Sequence, residues 1–283
     1  MEHYYRDDEW QQGVIDHYRF NLERMCALSS KAEVPMIVMN PCSNLRDTPP
    51  FKSEHRSDLA PEELDEVKEL LEKAAISFSE TELERADFLY RAAIDFDPLY
   101  ADTFYRYGKL HDLSNDFHPA YENYVKAKDL DVCPLRMLEP MHAVLKEVAA
   151  RHEVELLDTR AEVEKIIVPS GIPGNAEFLD HVHPNVGGHQ YFAKLLVEKM
   201  DAMGFVTLPD PPADDDTPPS DSAFPRWLES MGPVISDYLN SLPAGYFAEG
   251  EMRLENLRHW ARGQSEMEPP VESKRRKPSA KPE

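Results

Sequence analysis

Between residues 8 and 31, apolar side chains recur at three- to four-residue steps: Trp10, Val14, Tyr18, Leu22 and Met25. That is the spacing of one face of an α-helix. Residues 36–39, Met-Ile-Val-Met between Pro35 and Pro41, break the period. A run with no polar alternation predicts a parallel strand buried on both faces. Residues 40–58 are polar and carry several prolines, which predicts a loop. Pro61, Glu62 and Glu63 then open another helix, because a first-turn proline lacks only an N–H that has no helical partner there, and acidic side chains favour the positive end of the helix dipole. Leu64, Val67, Leu71 and Ala74 form its apolar stripe.

The pattern then repeats. A shift of 34 residues aligns Ala86 with Ala120, Tyr90 with Tyr124, Ala93 with Ala127, and Asp95-Phe96-Asp97 with Asp129-Leu130-Asp131. Residues 101–108 supply a helix between the two copies, after Pro98. Small and aromatic residues on helix pairs at this period are the signature of a tetratricopeptide repeat. About one and a half copies are visible, fewer than the three or so that an independent solenoid needs. Two uses are open: a peptide-binding groove, or a helical insertion packed on its parent domain. Farther along, residues 137–151 read as a helix, 154–157 as a second strand, and 168–174 as a turn-rich loop. Phe192, Leu195, Leu196, Met200 and Met203 return to helical spacing.

Net charge of −22 argues against nucleic-acid binding, which needs a basic surface. Residues 1–30 are charged throughout, so no signal peptide is expected; no apolar run approaches the ~18 residues of a membrane span. This predicts a cytoplasmic chain with no membrane partner. Cys26, Cys42 and Cys133 are odd in number and far apart, which predicts reduced thiols. Prolines and acidic residues make 207–225 a linker; 226–262 look helical, anchored by Trp227, Tyr238, Leu254, Leu257 and Trp260. The tail 263–283 is disordered by composition; its Lys274-Arg275-Arg276-Lys277 reads as a solvated basic run that could dock on an anionic surface.

The segment richest in chemistry is Asp180-His181-Val182-His183-Pro184-Asn185, followed by Gly187-Gly188-His189. A carboxylate three residues ahead of an imidazole can accept from its Nδ1–H, which fixes the tautomer and leaves Nε2 free to take a proton. The same contact could instead only fasten the loop. A metal site is the rival reading, because His181, His183, Asp180 and His189 are ligand types, although no further cluster completes a ligand set. His189 could equally cap or pack the start of its helix. Asn44, Arg46 and Asp47 follow the first strand, where α/β sheets bind ligands, or they serve turn chemistry. Cys42 beside Ser43 is a weak nucleophile candidate, since a solitary thiol with no adjacent base is usually inert.

The block around Asp180 and His183, with Pro184-Asn185 and Gly188-His189, resembles the last block of the SGNH (GDSL-type) esterases and lipases, where an Asp-x-x-His pair closes the sequence. Residues 34–55, from Val34-Pro35-Met36 through Ser43-Asn44-Leu45-Arg46-Asp47 to His55, resemble a late strand and loop in a bacterial subgroup with a helical-repeat insertion. Val154-Glu155-Leu156-Leu157-Asp158 resembles the strand before the final block. The resemblance covers roughly residues 8–206. The family's Gly-Asp-Ser nucleophile block and its Gly and Gly-x-Asn oxyanion blocks have no counterpart here: Cys42-Ser43-Asn44 lacks the Gly, and Ser220-Asp221-Ser222 follows the His.

The resemblance therefore implies the C-terminal half of such a hydrolase. The expected fold class is α/β: a partial three-layer, flavodoxin-like SGNH-type sandwich with few parallel strands and an all-α tetratricopeptide-like insertion. The expected organisation is α/β segments at 8–60 and 132–206, the insertion at 61–131, and then the linker, helical appendage and tail. The expected function is ester hydrolysis on small acyl or O-acetyl substrates, with catalytic Asp180 and His183, no cofactor, no metal, and no activity without the missing blocks. The expected partners are an upstream hydrolase half, or a protein bound by the helical repeat. The alternative is a non-catalytic interaction module.

Overall fold

The computed structural model describes residues 4–207 and scattered positions between 237 and 255. The linker beyond Thr207, the basic run and Ser220–Ser222 lie outside the described residues, as do Trp227, Leu254, Leu257 and Trp260. Tyr238 is described and is exposed. Among the described residues no helix is long and apolar enough to cross a membrane.

Among the described residues the named elements run in the order α1 (Asp8–Lys31), β1 (Ile37–Met39), α2 (Pro61–Ser79), α3 (Leu83–Phe96), α4 (Ala101–Leu113), α5 (Phe117–Leu130), α6 (Glu139–Arg151), β2 (Glu155–Leu157), α7 (Thr159–Ile166) and α8 (Val186–Ala202). The strands pair in parallel, with Ile37 opposite Glu155 and Met39 opposite Leu157. This corrects the expected fold class. Both strands form where the apolar runs place them, but a single ladder of three residue pairs is too small for the sheet layer of a flavodoxin-like sandwich. The chain is mostly helical, and helix-on-helix packing supplies most of its core, which fits an all-α, tetratricopeptide-like arrangement.

In that helical part, α2 packs on α3 and α4 on α5. The repeat-aligned Ala86, Ala93, Ala120 and Ala127 are at most 1 % exposed, because small side chains let helix backbones approach. Tyr90 and Tyr124 fill equivalent positions. Gly108 on α4 marks a close approach to α5: a Cβ there would stand 2.9 Å from the Tyr124 ring and 3.3 Å from the Ala120 carbonyl, so something would have to shift.

Around the strands, Ile15, Leu22 and Cys26 of α1 meet Val38 and the α6 residues Val144, Leu145 and Val148. The expected α1 stripe is corrected here. Leu22 is buried and Tyr18 partly so, whereas Trp10, Val14 and Met25 are 74, 45 and 49 % exposed. The helix carries one wide apolar face, and α6 covers only the stripe along one side of it. Helix α7, which the periodicity does not mark, packs Val163 against Tyr191 of α8 and Phe178.

Candidate functional site

The segment before α8 folds back on itself. Phe178 bridges Pro184 in antiparallel fashion, the Leu179 N–H donates to the His183 carbonyl at 2.8 Å, and the Asn185 N–H donates to that of Glu177 at 2.8 Å. Inside this loop one Asp180 oxygen accepts from the backbone N–H groups of Val182 (2.9 Å) and His183 (2.8 Å), the usual turn chemistry of aspartate. The other accepts from His183 Nδ1 at 2.7 Å. Asn185 then caps α8, its side-chain oxygen accepting from the Gly188 N–H at 2.9 Å. Gly188 is required by crowding, since a Cβ would stand 2.8 Å from Pro184 and 3.0 Å from the Glu177 carbonyl.

The Asp180 side chain is 15 % exposed and that of His183 is 69 % exposed. Burial alone would raise the Asp180 pKa, but the donors from His183 and Val182 outweigh it and hold the carboxyl below its ordinary range. An ionised carboxylate only accepts, so His183 Nδ1 carries the proton and Nε2 is the basic nitrogen. Among the described residues no serine, threonine or cysteine side chain hydrogen-bonds the His183 ring. A groove of about 650 Å³ lies between the start of α1 and the segment leading into α6, lined by Tyr5, Trp10, Leu135 and Met137 among others, and includes neither Asp180 nor His183.

The 40–58 loop supports the pair from behind. Asn44 is 1 % exposed and uses every polar group. Its N–H donates to the His181 carbonyl (3.0 Å), its amide nitrogen to Asn175 (2.9 Å), its amide oxygen accepts from the Asp47 N–H (2.9 Å), and its carbonyl accepts from Arg136 (3.0 Å). Arg46 forms a two-pronged ion pair with Asp112, and Asp47 pairs with Lys109 and accepts from the Asn175 N–H. Turn chemistry thus occurs at Asn44, and all three residues are engaged in holding the loop to α4 and to the dyad segment.

The repeat-aligned aspartates hold the same loop farther along. Asp131 accepts from the N–H groups of Phe51 (2.7 Å), Lys52 (3.0 Å) and Cys133 (2.9 Å). Asp97 accepts from Arg56 (3.4 Å) and Leu99 (3.1 Å) and contacts His55 Nδ1 at 2.7 Å. The helix pairs therefore grip a segment of their own chain.

The remaining candidates separate on burial. Cys42 is 7 % exposed, and burial, then nearby Glu164, pushes its thiol up to about 12, so it is no nucleophile near neutrality. Among the described residues no group of three His, Cys, Asp or Glu side chains is placed to hold a metal ion. His189 is exposed in the first turn of α8, whose cap is Asn185. Local spacing gives no sign of Asn40, a fully buried node beside β1. It donates to Asp158 at 2.7 Å, and its amide oxygen meets His142 Nδ1 at 2.6 Å. Nor does it mark Arg136 or Phe51.

Among family models, curated proteins and solved structures, nothing matches this chain.

Proposed function

We propose that this chain carries the general-base half of a serine ester hydrolase site of the SGNH type, acting on small acyl or O-acetyl esters. The observation that carries the reading is the 2.7 Å contact from Asp180 to His183 Nδ1, with the ring largely exposed. A serine supplied by a preceding segment or partner attacks the ester carbonyl. His183 Nε2 takes its proton and returns it to the leaving alcohol, while Asp180 holds the tautomer and stabilises the imidazolium. Oxyanion donors come with the serine, so the chain alone has essentially no acyl-transfer power. The uncovered α1 stripe of Trp10, Val14, Met25 and Leu28 is a surface on which such a segment could pack.

A second reading, a non-catalytic interaction module, draws support from Phe88 and Ile76, which are 70 and 57 % exposed on the helix pairs.

The chain by itself should not be labelled by a fluorophosphonate probe. It should cleave p-nitrophenyl acetate only at an imidazole-like rate, which His183→Ala lowers several-fold. Joined to a segment carrying the nucleophile it should label, and His183→Ala should abolish labelling. Strong labelling of the chain alone, lost on a single Ser→Ala change, would overturn the reading. A slow ester rate indifferent to His183→Ala would favour the interaction module.

A further inference from the structure

Asp180 has two imidazoles within reach. His183 Nδ1 is at 2.7 Å and His181 Nδ1 at 3.8 Å, with the rings 6.4 Å apart and nearly perpendicular. A charged His181 would compete for the carboxylate and repel the proton on His183. Something must decide between them.

The groups that face His181 come from three parts of the chain. Asp180 and His183 belong to its own loop. Phe51, on the 40–58 loop, packs its ring nearly perpendicular to the His181 ring, at a centroid distance of 5.1 Å and 81°. Arg136, ahead of α6, is 5 % exposed and donates to the carbonyls of Asn44 (3.0 Å) and Thr48 (2.9 Å), while the Asn44 N–H donates to the His181 carbonyl. The Arg136 cation is therefore one residue behind His181. Burial lowers the Arg136 pKa to about 10, and Asp131 opposes that shift, so the guanidinium is charged near neutrality.

We propose that Arg136 and Phe51 are positioning residues that reserve the Asp180 carboxylate for His183 against the rival imidazole of His181. Phe51 strips water from His181, and the Arg136 cation disfavours a second positive charge beside it. The direction agrees: burial first, then Arg136 and His183, hold His181 below the ordinary histidine range against the pull of Asp180. Asp131, at the end of α5, anchors Phe51 through its backbone, so the helical insertion reaches the dyad through Asp131, Phe51 and His181. The purpose of this arrangement rests on the hydrolase reading; the arrangement itself can be measured without catalysis.

The test is imidazole nitrogen NMR on the full chain across pH, with Arg136→Met, Arg136→Lys and Phe51→Leu. The parent should show His181 titrating low and His183 as its Nδ1–H tautomer. Arg136→Met should raise the His181 midpoint by about one pH unit, a tenfold gain in proton affinity. Between the old and new midpoints it should deplete the Nδ1–H tautomer of His183, and Arg136→Lys should restore both. Phe51→Leu, nearly volume-conserving, should shift His181 the same way by less, and decides the matter if Arg136→Met does not fold. Folded Arg136→Met or Phe51→Leu chains with an unchanged His181 midpoint and His183 tautomer would overturn the proposal. A positive NMR result without esterase activity after the nucleophile is supplied sinks the hydrolase reading alone. The reverse result sinks this assignment alone.

Discussion

Two aspartate–imidazole pairs in this chain share a 2.7 Å contact and differ in almost everything around it. Both carboxylates also accept from two backbone N–H groups, but the Asp97 side chain is fully buried and takes His55 from 42 residues away, with the His55 ring stacked 3.9 Å from Tyr100. Asp180 takes its partner from three residues away on one loop, and that partner is 69 % exposed. The first pair ties a long loop to helices; the second presents a basic nitrogen to whatever approaches. The short contact is common to both, so access to the ring and the span of chain that the contact closes distinguish a latch from a candidate relay.

The sharpest way to break this contrast is to delete the two carboxylates. Asp97→Ala empties a fully buried position, leaves donors from His55, Leu99 and Arg56 without their acceptor, and should cost about 3 kcal/mol in urea unfolding. Asp180→Ala, on a more exposed loop, should cost about 1 kcal/mol. Equal losses would make the Asp180 pair a second latch.

His142 offers a third environment, a buried ring whose Nδ1 meets Asn40 rather than a carboxylate. Burial, then the Arg160 charge, lowers its pKa to about 4. The folded chain thus keeps it neutral where the unfolded chain, with a pKa of about 6.5, takes a proton. Stability is therefore full above about pH 6.5 and falls as pH drops toward 4, by up to roughly 3 kcal/mol from this group. His181, also lowered, adds a loss of the same sign. Denaturation midpoints across this window should show the slope, and His142→Gln should flatten it; an unchanged slope would assign the loss elsewhere.

The smallest expected effect is the most informative about function. His183→Ala should change stability by no more than about 0.5 kcal/mol, as for an exposed side chain, while lowering the imidazole-like ester cleavage several-fold. A large stability loss would put His183 on the latch side of the comparison.

Much of this could be read from short-range spacing. The contact between Asp180 and His183 follows from a three-residue step on a loop that enters a capped helix, and bond geometry alone limits where those side chains can go. The strands lie where Met-Ile-Val-Met and Val-Glu-Leu-Leu predict them, and the 34-residue alignment marked four alanines that are all buried. The fold class does not follow from the apolar runs, because they identify strands without counting how many neighbours pair with them; among the described residues each has one. Which α1 stripe is buried depended on where α6 packs, so Ile15, Leu22 and Cys26 are inside while Trp10 is out. The supports of the dyad were invisible for the same reason: Arg136 reaches Asn44 across 92 residues and Thr48 across 88. Over a few residues the covalent chain restricts which groups can meet; over ninety, only the packing of the helices brings them together.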